Sequence, residues 1–156
     1  IVLCGMPSSG KTTVGKEIAK VFGKKFIDTD DVVVEKKKES ISDIFEKYGE
    51  GEFRKEERLA IEELSKENGL VIATGGGAVL DENNVRALKR NGVILFLDRS
   101  LENLVATADR PLSSDTEKLK NLFEKRYDVY KSCADAVIPA DGEIADVVEK
   151  IKGVLL

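Results

Sequence analysis

The sequence predicts an α/β fold in which a five-stranded parallel sheet is flanked by helices. Five short apolar segments alternate with helix-like segments along the 156 residues, and polar clusters follow the first three of these segments. Short buried strands that alternate with helices are typical of a parallel sheet covered on both faces, where ligands gather at the carboxyl ends of the strands. Because no linker or repeat interrupts the pattern, we expect residues 1–156 to form one domain.

The predicted elements follow one another closely. Short apolar runs predict strands at residues 1–4, 25–27, 70–73, 93–97 and 136–138. Apolar residues that recur three or four apart predict helices. These helices cover residues 12–22, 32–38, 52–66, 83–90, 101–108, 117–131 and roughly 144–151, and one more begins near residue 40. Ser40 or Ser42 is the expected N-cap of that helix, and Gly49 and Gly51 are expected to separate it from the next.

The composition excludes several classes of function. With 25 Lys and Arg residues against 29 Asp and Glu residues, the net charge of −4 disfavours nucleic acid as a partner. The run Lys36–Lys38 is better explained as a solvated helix face. No apolar run is long enough to span a bilayer, so no membrane partner is expected. The chain contains no histidine, which excludes histidine as a catalytic acid, base or metal ligand.

Two features bear on where the protein works. Cys4 and Cys133 lie far apart and in no metal-ligand spacing, and Cys4 is expected to pack as a small apolar group. A reducing, cytoplasmic compartment is therefore the expectation. Because the sequence opens within a strand and without methionine, we also expect that residues precede Ile1.

The stretch GMPSSGKTT follows the first strand and leads into a helix. It matches the phosphate-binding pattern G-x-x-x-x-G-K-T. Gly5 and Gly10 allow backbone conformations that side chains would block, so that successive N–H groups surround phosphate oxygens. Lys11 reaches the outer phosphates, and the Thr12 hydroxyl is suited to bind Mg²⁺. The whole stretch predicts a nucleoside triphosphate site made by Gly5, Met6, Pro7, Ser8, Ser9, Gly10, Lys11, Thr12 and Thr13.

Acidic residues end the second and the fourth predicted strands. Asp28 and Asp30 lie two apart, so in an extended segment they would point the same way, one towards Mg²⁺ and one towards a substrate hydroxyl. Asp28–Asp30 would equally serve to cap the next helix. Asp98 also ends an apolar strand, as in a Walker B segment, and competes with Asp28 as the carboxylate on the Mg²⁺ side.

The third strand ends in Gly75, Gly76 and Gly77. Three successive glycines cost conformational entropy and favour no regular element. They form either a plain turn or a bare backbone surface that a ligand ring contacts, with N–H groups as donors. Their position at a strand end favours the second interpretation.

Three arginines are candidates for binding anions. Arg126 lies in the apolar stripe of a predicted helix, where it must pair with an internal carboxylate or with a ligand carboxylate, which guanidinium binds bidentately. Arg54 precedes Glu57 by three residues, so the two form a surface ion pair, or Glu57 holds Arg54 for an anionic substrate. Arg110 lies in the polar stretch 109–116, which we predict to be a short lid that brings a cation to the transferring phosphoryl group.

Taken together, these stretches resemble the shikimate kinases over almost the whole chain. Many kinases share the phosphate loop, but few also share FR-x-x-E, TGGG and the late arginine. Six motifs occur in the order of that family: GMPSSGKTT at Gly5–Thr13, DTD at Asp28–Asp30, GEFRKEE at Gly51–Glu57, ATGGG at Ala73–Gly77, RPL at Arg110–Leu112 and KRYDVY at Lys125–Tyr130.

The resemblance implies ATP-dependent phosphorylation of the 3-hydroxyl of shikimate, a step in aromatic amino-acid biosynthesis, on a P-loop fold of the nucleoside monophosphate kinase type. ATP and Mg²⁺ are the implied cofactors, shikimate is the implied partner, and a monomer is the implied state. The resemblance also implies that Lys11, Asp30 and Arg110 act in catalysis, and that Asp28 rather than Asp98 assists Mg²⁺ through water. Shikimate would be held by Asp30, Arg54, Gly75, Gly76, Gly77 and Arg126.

Two departures from the family concern the adenine site. Members often carry an arginine that stacks on adenine a few residues before RPL, where this chain has Val105, Ala106 and Thr107. The predicted lid is also short. Pro139 and Ala140 are candidates for lining the adenine pocket.

Two alternatives stand beside the shikimate kinases. A related kinase acting on gluconate is disfavoured by TGGG, and one acting on a nucleotide is disfavoured by the paired arginines. An inactive ATP-binding relative would have lost Lys11, Asp30 or Arg110, and all three are present.

Overall fold

The five strands form one parallel sheet in the order β2-β3-β1-β4-β5, which confirms the predicted fold class. The computed structural model describes residues 1–107 and 113–156. The strand order places β1 at the centre of the sheet, between β3 and β4. The strands are β1 (Val2–Cys4), β2 (Lys25–Asp28), β3 (Leu70–Ala73), β4 (Ile94–Asp98) and β5 (Ala136–Pro139).

Helices follow each of the strands, and a 3₁₀ turn at Ala78–Leu80 follows the glycines. In the part of the chain that the structure describes, no helix has the length and apolar character needed to cross a membrane. The helices are α1 (Lys11–Phe22), α2 (Thr29–Lys37), α3 (Ile41–Tyr48), α4 (Glu50–Leu64), α5 (Glu82–Arg90), α6 (Leu101–Thr107), α7 (Ser113–Cys133) and α8 (Ile144–Leu155).

Two apolar layers cover the two faces of the sheet, because successive strand residues point to opposite faces. Leu3 of β1 packs with α1 and α8, whereas its neighbour Cys4 packs with α4, α5 and α7. Cys4 is fully buried, in agreement with its predicted packing role. A third cluster of Val33, Ile44, Phe53 and Ala60 joins α2, α3 and α4 beside the sheet.

Helix α2 begins three residues earlier than predicted, at Thr29. The Asp28 carboxylate accepts the Asp30 N–H at 2.9 Å and so caps the helix. The predicted extended segment through both aspartates is therefore wrong, because the strand ends at Asp28 and Asp30 lies in the first helical turn. The capping role is confirmed.

Two other boundaries differ from the predictions. Gly51 was expected in a loop but lies within α4, and only Gly49, with a φ of 84°, separates α3 from α4. Ser40 is the N-cap of α3, and its hydroxyl accepts the N–H of Asp43 at 3.1 Å. Helix α7 begins at Ser113, four residues earlier than predicted, so residues 113–116 of the predicted lid are helical.

The remaining predictions for the lid concern residues that the structure leaves out. Residues 108–112, with Arg110 among them, lie outside the described part of the chain.

The run Lys36–Lys38 is only partly a solvated helix face. Lys36 lies 3.2 Å from Glu56, and Lys37 lies 3.3 Å from Glu52 and 3.4 Å from Glu56. These ion pairs join α2 to α4.

Candidate active site

The loops that follow β1, β2 and β3 meet at one edge of the sheet. Asp28 at the end of β2 is paired with Ala73 at the end of β3, and Ala73 is paired with Leu3 of β1. The three strands therefore end at the same level. The phosphate loop, the acidic cluster and the glycine turn consequently lie side by side, as the strand-end positions predicted.

The phosphate loop has the backbone conformations that its glycines predicted. Gly5 has a φ of 150° and Gly10 a φ of 97°, in the region that side chains disfavour. A Cβ on Gly5 would also lie 2.9 Å from the carbonyl oxygen of Leu97. The Nζ of Lys11 donates to the carbonyls of Gly5 and Met6, at 2.8 Å each. Burial lowers the pKa of Lys11 to about 8.

Asp28 accepts a hydrogen bond from the predicted magnesium ligand Thr12, whereas Asp98 is bonded to a tyrosine. The Thr12 hydroxyl donates to Oδ2 of Asp28 at 3.4 Å, whereas Asp98 accepts the hydroxyl of Tyr127 at 2.9 Å. Among the described residues, no group of three or more His, Cys, Asp or Glu side chains is placed to hold a metal ion. One or two protein oxygens completed by substrate phosphates are typical of Mg²⁺ sites, and this hydroxyl–carboxylate pair fits that type.

Asp30 faces the first glycine of the turn. Its Oδ1 is buried and has no hydrogen-bond partner among the described residues. A Cβ on Gly75 would lie 2.7 Å from this oxygen and 2.9 Å from Oε2 of Glu57. Burial raises the pKa of Asp30, the nearby Asp28 raises it further, and Lys11 opposes both. Asp30 is therefore a carboxylate with an unused acceptor oxygen beside the phosphate loop.

Each of the other two glycines makes room for an arginine. A Cβ on Gly76 would lie 3.0 Å from Nη1 of Arg126. A Cβ on Gly77 would overlap the guanidinium of Arg54, whose Cζ would be 2.8 Å away. The N–H groups of Gly76 and Gly77 donate to none of the described residues. Because Gly76 and Gly77 have no side chains, the guanidinium groups of Arg126 and Arg54 lie directly against the turn. The backbone N–H groups of the turn are further hydrogen-bond donors at the same place.

The pairing of Arg54 with Glu57 is not a surface ion pair. Nη1 of Arg54 donates to Oε1 of Glu57 at 2.9 Å, and the Glu57 side chain is only 1% exposed. Burial raises the pKa of Glu57, although Arg54 opposes this. Arg126 forms no ion pair within the described part of the chain, so the internal carboxylate considered as its partner is not found there.

Two residues that hold the glycine turn were not among the predicted site residues. The Gly75 N–H donates to the fully buried Thr29 hydroxyl at 3.0 Å, and the Tyr130 hydroxyl donates to the Gly76 carbonyl at 2.5 Å. Thr29 lies between the two predicted aspartates, and Tyr130 lies one helical turn after Arg126. These spacings are the signals in the sequence that could have indicated them.

The strand order and a G-x-x-x-x-G-K-T loop between β1 and α1 define a P-loop nucleotide-binding protein. A sequence model of the shikimate kinases matches residues 7–155. A shikimate kinase of Clostridium botulinum is 40% identical in an alignment of 160 residues, gaps included, that covers 100% of this chain and 96% of the relative. The chain belongs to the shikimate kinase family, which confirms the resemblance seen in the six motifs.

Solved structures agree with this assignment. A shikimate kinase from Acinetobacter baumannii, solved in complex with shikimate, matches with a TM-score of 0.91 and 31% identity, and covers 99% of this chain and 91% of its own. A gluconokinase from Sinorhizobium meliloti matches with a TM-score of 0.63 and 18% identity, over 96% of this chain and 86% of its own. At that identity the likeness concerns the fold alone.

Proposed function

We propose that this protein transfers the γ-phosphoryl group of ATP to the 3-hydroxyl of shikimate, giving ADP and shikimate 3-phosphate for aromatic amino-acid biosynthesis. The observation that carries the proposal is the convergence of Asp30, Arg54 and Arg126 on one glycine turn beside the phosphate loop. We further propose that the enzyme works as a monomer in the cytoplasm, in keeping with the family resemblance.

The acceptor site is suited to a small hydroxylated carboxylate. Arg54 and Arg126 approach adjacent glycines, and two guanidinium groups are a good match for one carboxylate group. The N–H groups of Gly76 and Gly77, which donate to none of the described residues, add donors of the same polarity. Asp30 offers an acceptor oxygen for a hydroxyl of the same ligand. Shikimate carries both of these groups.

The donor site is suited to the phosphates of ATP. The phosphate loop, Gly5–Thr13, offers backbone N–H groups, and Lys11 offers a positive charge. Thr12 and Asp28 would hold the Mg²⁺ ion, since their oxygens lie together. When bound, Mg²⁺ neutralises charge on the phosphates. Arg110 would add a second positive charge, by resemblance to the family.

Phosphoryl transfer depends more on positioning and charge neutralisation than on covalent chemistry with the enzyme. Asp30 orients the acceptor hydroxyl towards the phosphorus atom. A bond forms between that oxygen and the γ-phosphorus as the bond to the leaving ADP oxygen breaks, and the hydroxyl proton passes to Asp30. Lys11 stabilises the charge that moves onto the phosphate oxygens.

Coupled release of ADP tests the proposal. The purified protein is mixed with Mg-ATP and with shikimate, gluconate or AMP in parallel. We expect turnover with shikimate alone. Turnover with gluconate or AMP instead would favour the related kinases, and binding of ATP without turnover on any acceptor would favour an inactive relative.

A further inference from the structure

Tyr130 joins helix α7 to the glycine turn from a fully buried position. Its side chain is 0% exposed, and its ring lies against Phe96 with the ring centroids 5.2 Å apart. The hydroxyl donates to the carbonyl oxygen of Gly76 at 2.5 Å. Burial raises the pKa of this hydroxyl, so it stays protonated and able to donate at neutral pH.

This hydrogen bond sets the direction of the Gly76–Gly77 peptide, which is the middle peptide of a turn closed by the Ala78 N–H on the Gly75 carbonyl at 3.0 Å. The described peptide bonds are trans, and in a trans peptide the C=O and the following N–H point in opposite directions. With the Gly76 carbonyl held towards Tyr130, the N–H of Gly77 points away from Tyr130. Since glycine allows either sign of φ, the middle peptide of such a turn can flip while the turn stays closed, and without the Tyr130 hydroxyl the Gly77 N–H would sample both directions.

Arg126 lies on the same helix, one turn before Tyr130, so the two side chains share a face. Its Nη1 is so close to Gly76 that a Cβ there would be 3.0 Å away. The guanidinium also faces the Tyr130 hydroxyl and opposes the effect of burial on the pKa of Tyr130. One tyrosine therefore contacts both the turn and the cation beside it.

We propose that Tyr130 is a positioning residue for the acceptor, because its hydroxyl holds the N–H of Gly77 and the guanidinium of Arg126 in one arrangement that binds a carboxylate. This inference rests on the proposed function, since it assigns the turn and Arg126 to the acceptor. Tyr130 itself does not touch the acceptor and acts through Gly76 and Arg126.

The test is Tyr130→Phe, which removes one oxygen atom and keeps the ring that packs on Phe96. Steady-state kinetics with each substrate varied should show an increase of about tenfold in the KM for shikimate, as expected for the loss of one buried hydrogen bond. The KM for ATP should stay within about twofold of the wild-type value. A residue with a purely structural role would lower activity without this difference between the two substrates.

The matched control is Tyr127→Phe on the same helix. The Tyr127 ring also packs on Phe96, at 5.7 Å, but its hydroxyl donates to Asp98 rather than to the turn. We expect this variant to keep the wild-type KM for shikimate. Thermal melting of both variants confirms that they are folded at the assay temperature.

A third variant, Arg126→Ala, separates the role of Tyr130 from the proposed acceptor site. Weaker shikimate binding in Arg126→Ala together with an unchanged KM in Tyr130→Phe would overturn the role of Tyr130 and leave the proposed function intact. If Arg126→Ala also binds shikimate normally, the proposed acceptor site is wrong, and the inference about Tyr130 falls with it.

Discussion

The guanidinium of Arg54 is held by a carboxylate that lies beneath the surface, that of Glu57, at a distance of 2.9 Å. The Arg54 side chain is 29% exposed, whereas that of Glu57 is 1% exposed. The buried Glu57 carboxylate determines where the Arg54 side chain points, and the guanidinium of Arg54 remains accessible to a ligand. A contact of this kind orients a binding group more than it stabilises the fold, because burial of a charge offsets much of the attraction.

Glu57→Gln should weaken acceptor binding. It replaces a hydrogen bond between opposite charges by one from the charged guanidinium to a neutral amide oxygen, which is weaker, so Arg54 is oriented less firmly. We expect the KM for shikimate to rise about tenfold or somewhat less, with no change in the KM for ATP. The control is Glu50→Gln, because Glu50 contacts Arg54 at 3.4 Å but is 65% exposed and exposed pairs contribute little. Equal effects of the two variants would contradict the assigned role of Glu57.

Gly77→Ala should displace Arg54 from the turn. The new Cβ would overlap the guanidinium, which is the end of a flexible side chain, so the fold should survive while the acceptor site changes. We expect the KM for shikimate to rise on the order of tenfold or more, equivalent to at least about 1.4 kcal/mol of binding free energy.

The control for this substitution is Gly51→Ala, three residues from Arg54 on α4. Apart from its own helix, no described residue has an atom within 4 Å of a Cβ at Gly51, and alanine is the better helix former by about 1 kcal/mol. This variant should have wild-type kinetics and a higher melting temperature. A normal KM for shikimate in Gly77→Ala would show that the position of Arg54 is unimportant.

Asp30→Asn should lower the rate of catalysis without weakening ATP binding. The amide cannot accept a proton, so kcat should fall by roughly 10²- to 10⁴-fold, whereas titration calorimetry should give an unchanged Kd for ATP.

The raised pKa of Asp30 means that the folded protein binds a proton at this carboxylate more tightly than the unfolded chain does. The stability of the wild type therefore falls as the pH rises from the unfolded pKa through the folded pKa.

Asp30→Asn removes this pH-dependent loss of stability, because the amide carries no charge at any pH. The melting temperature of the free variant near pH 7 should therefore be higher than that of the wild type. Differential scanning calorimetry measures both proteins. A fall in ATP affinity that parallels the fall in kcat would contradict the assignment of Asp30 to the acceptor side.

Lys11 should take up a proton when ATP binds at mildly alkaline pH. Burial lowers its pKa to about 8 in the free protein, and nearby phosphates favour the charged form and raise the pKa. ATP affinity should therefore fall as the pH rises above about 8. Calorimetry near pH 9 in two buffers of different ionisation enthalpy should detect the proton. Lys11→Arg, which stays charged, should show none, and an equal lack of uptake in the wild type would contradict the prediction.

The features that could be predicted from sequence are the local ones. The alternation of strands and helices is visible in the spacing of apolar residues, and the phosphate loop is one continuous stretch. Asp28 and Asp98 end similar apolar strands, so no local pattern separates them. Their difference depends on which of them the fold brings next to Thr12.

The features that could not be predicted depend on side chains that meet across the fold. The glycine turn could be recognised as unusual, but the charged groups that fill its missing Cβ positions come from α2, α4 and α7. Spacing along one helix does not show what another segment places beside it. The role of Tyr130 is likewise invisible in the sequence, because its hydrogen bond to Gly76 joins residues 54 positions apart.

The most direct test of the central claim is to identify the product. The protein is incubated with Mg-ATP and shikimate, and ³¹P and ¹H NMR spectra are recorded on the mixture. We expect one new phosphate monoester whose phosphorus couples to the proton on C3 of shikimate, formed in step with ADP. A phosphate on a different hydroxyl, or ATP consumption that releases only inorganic phosphate, would contradict the account.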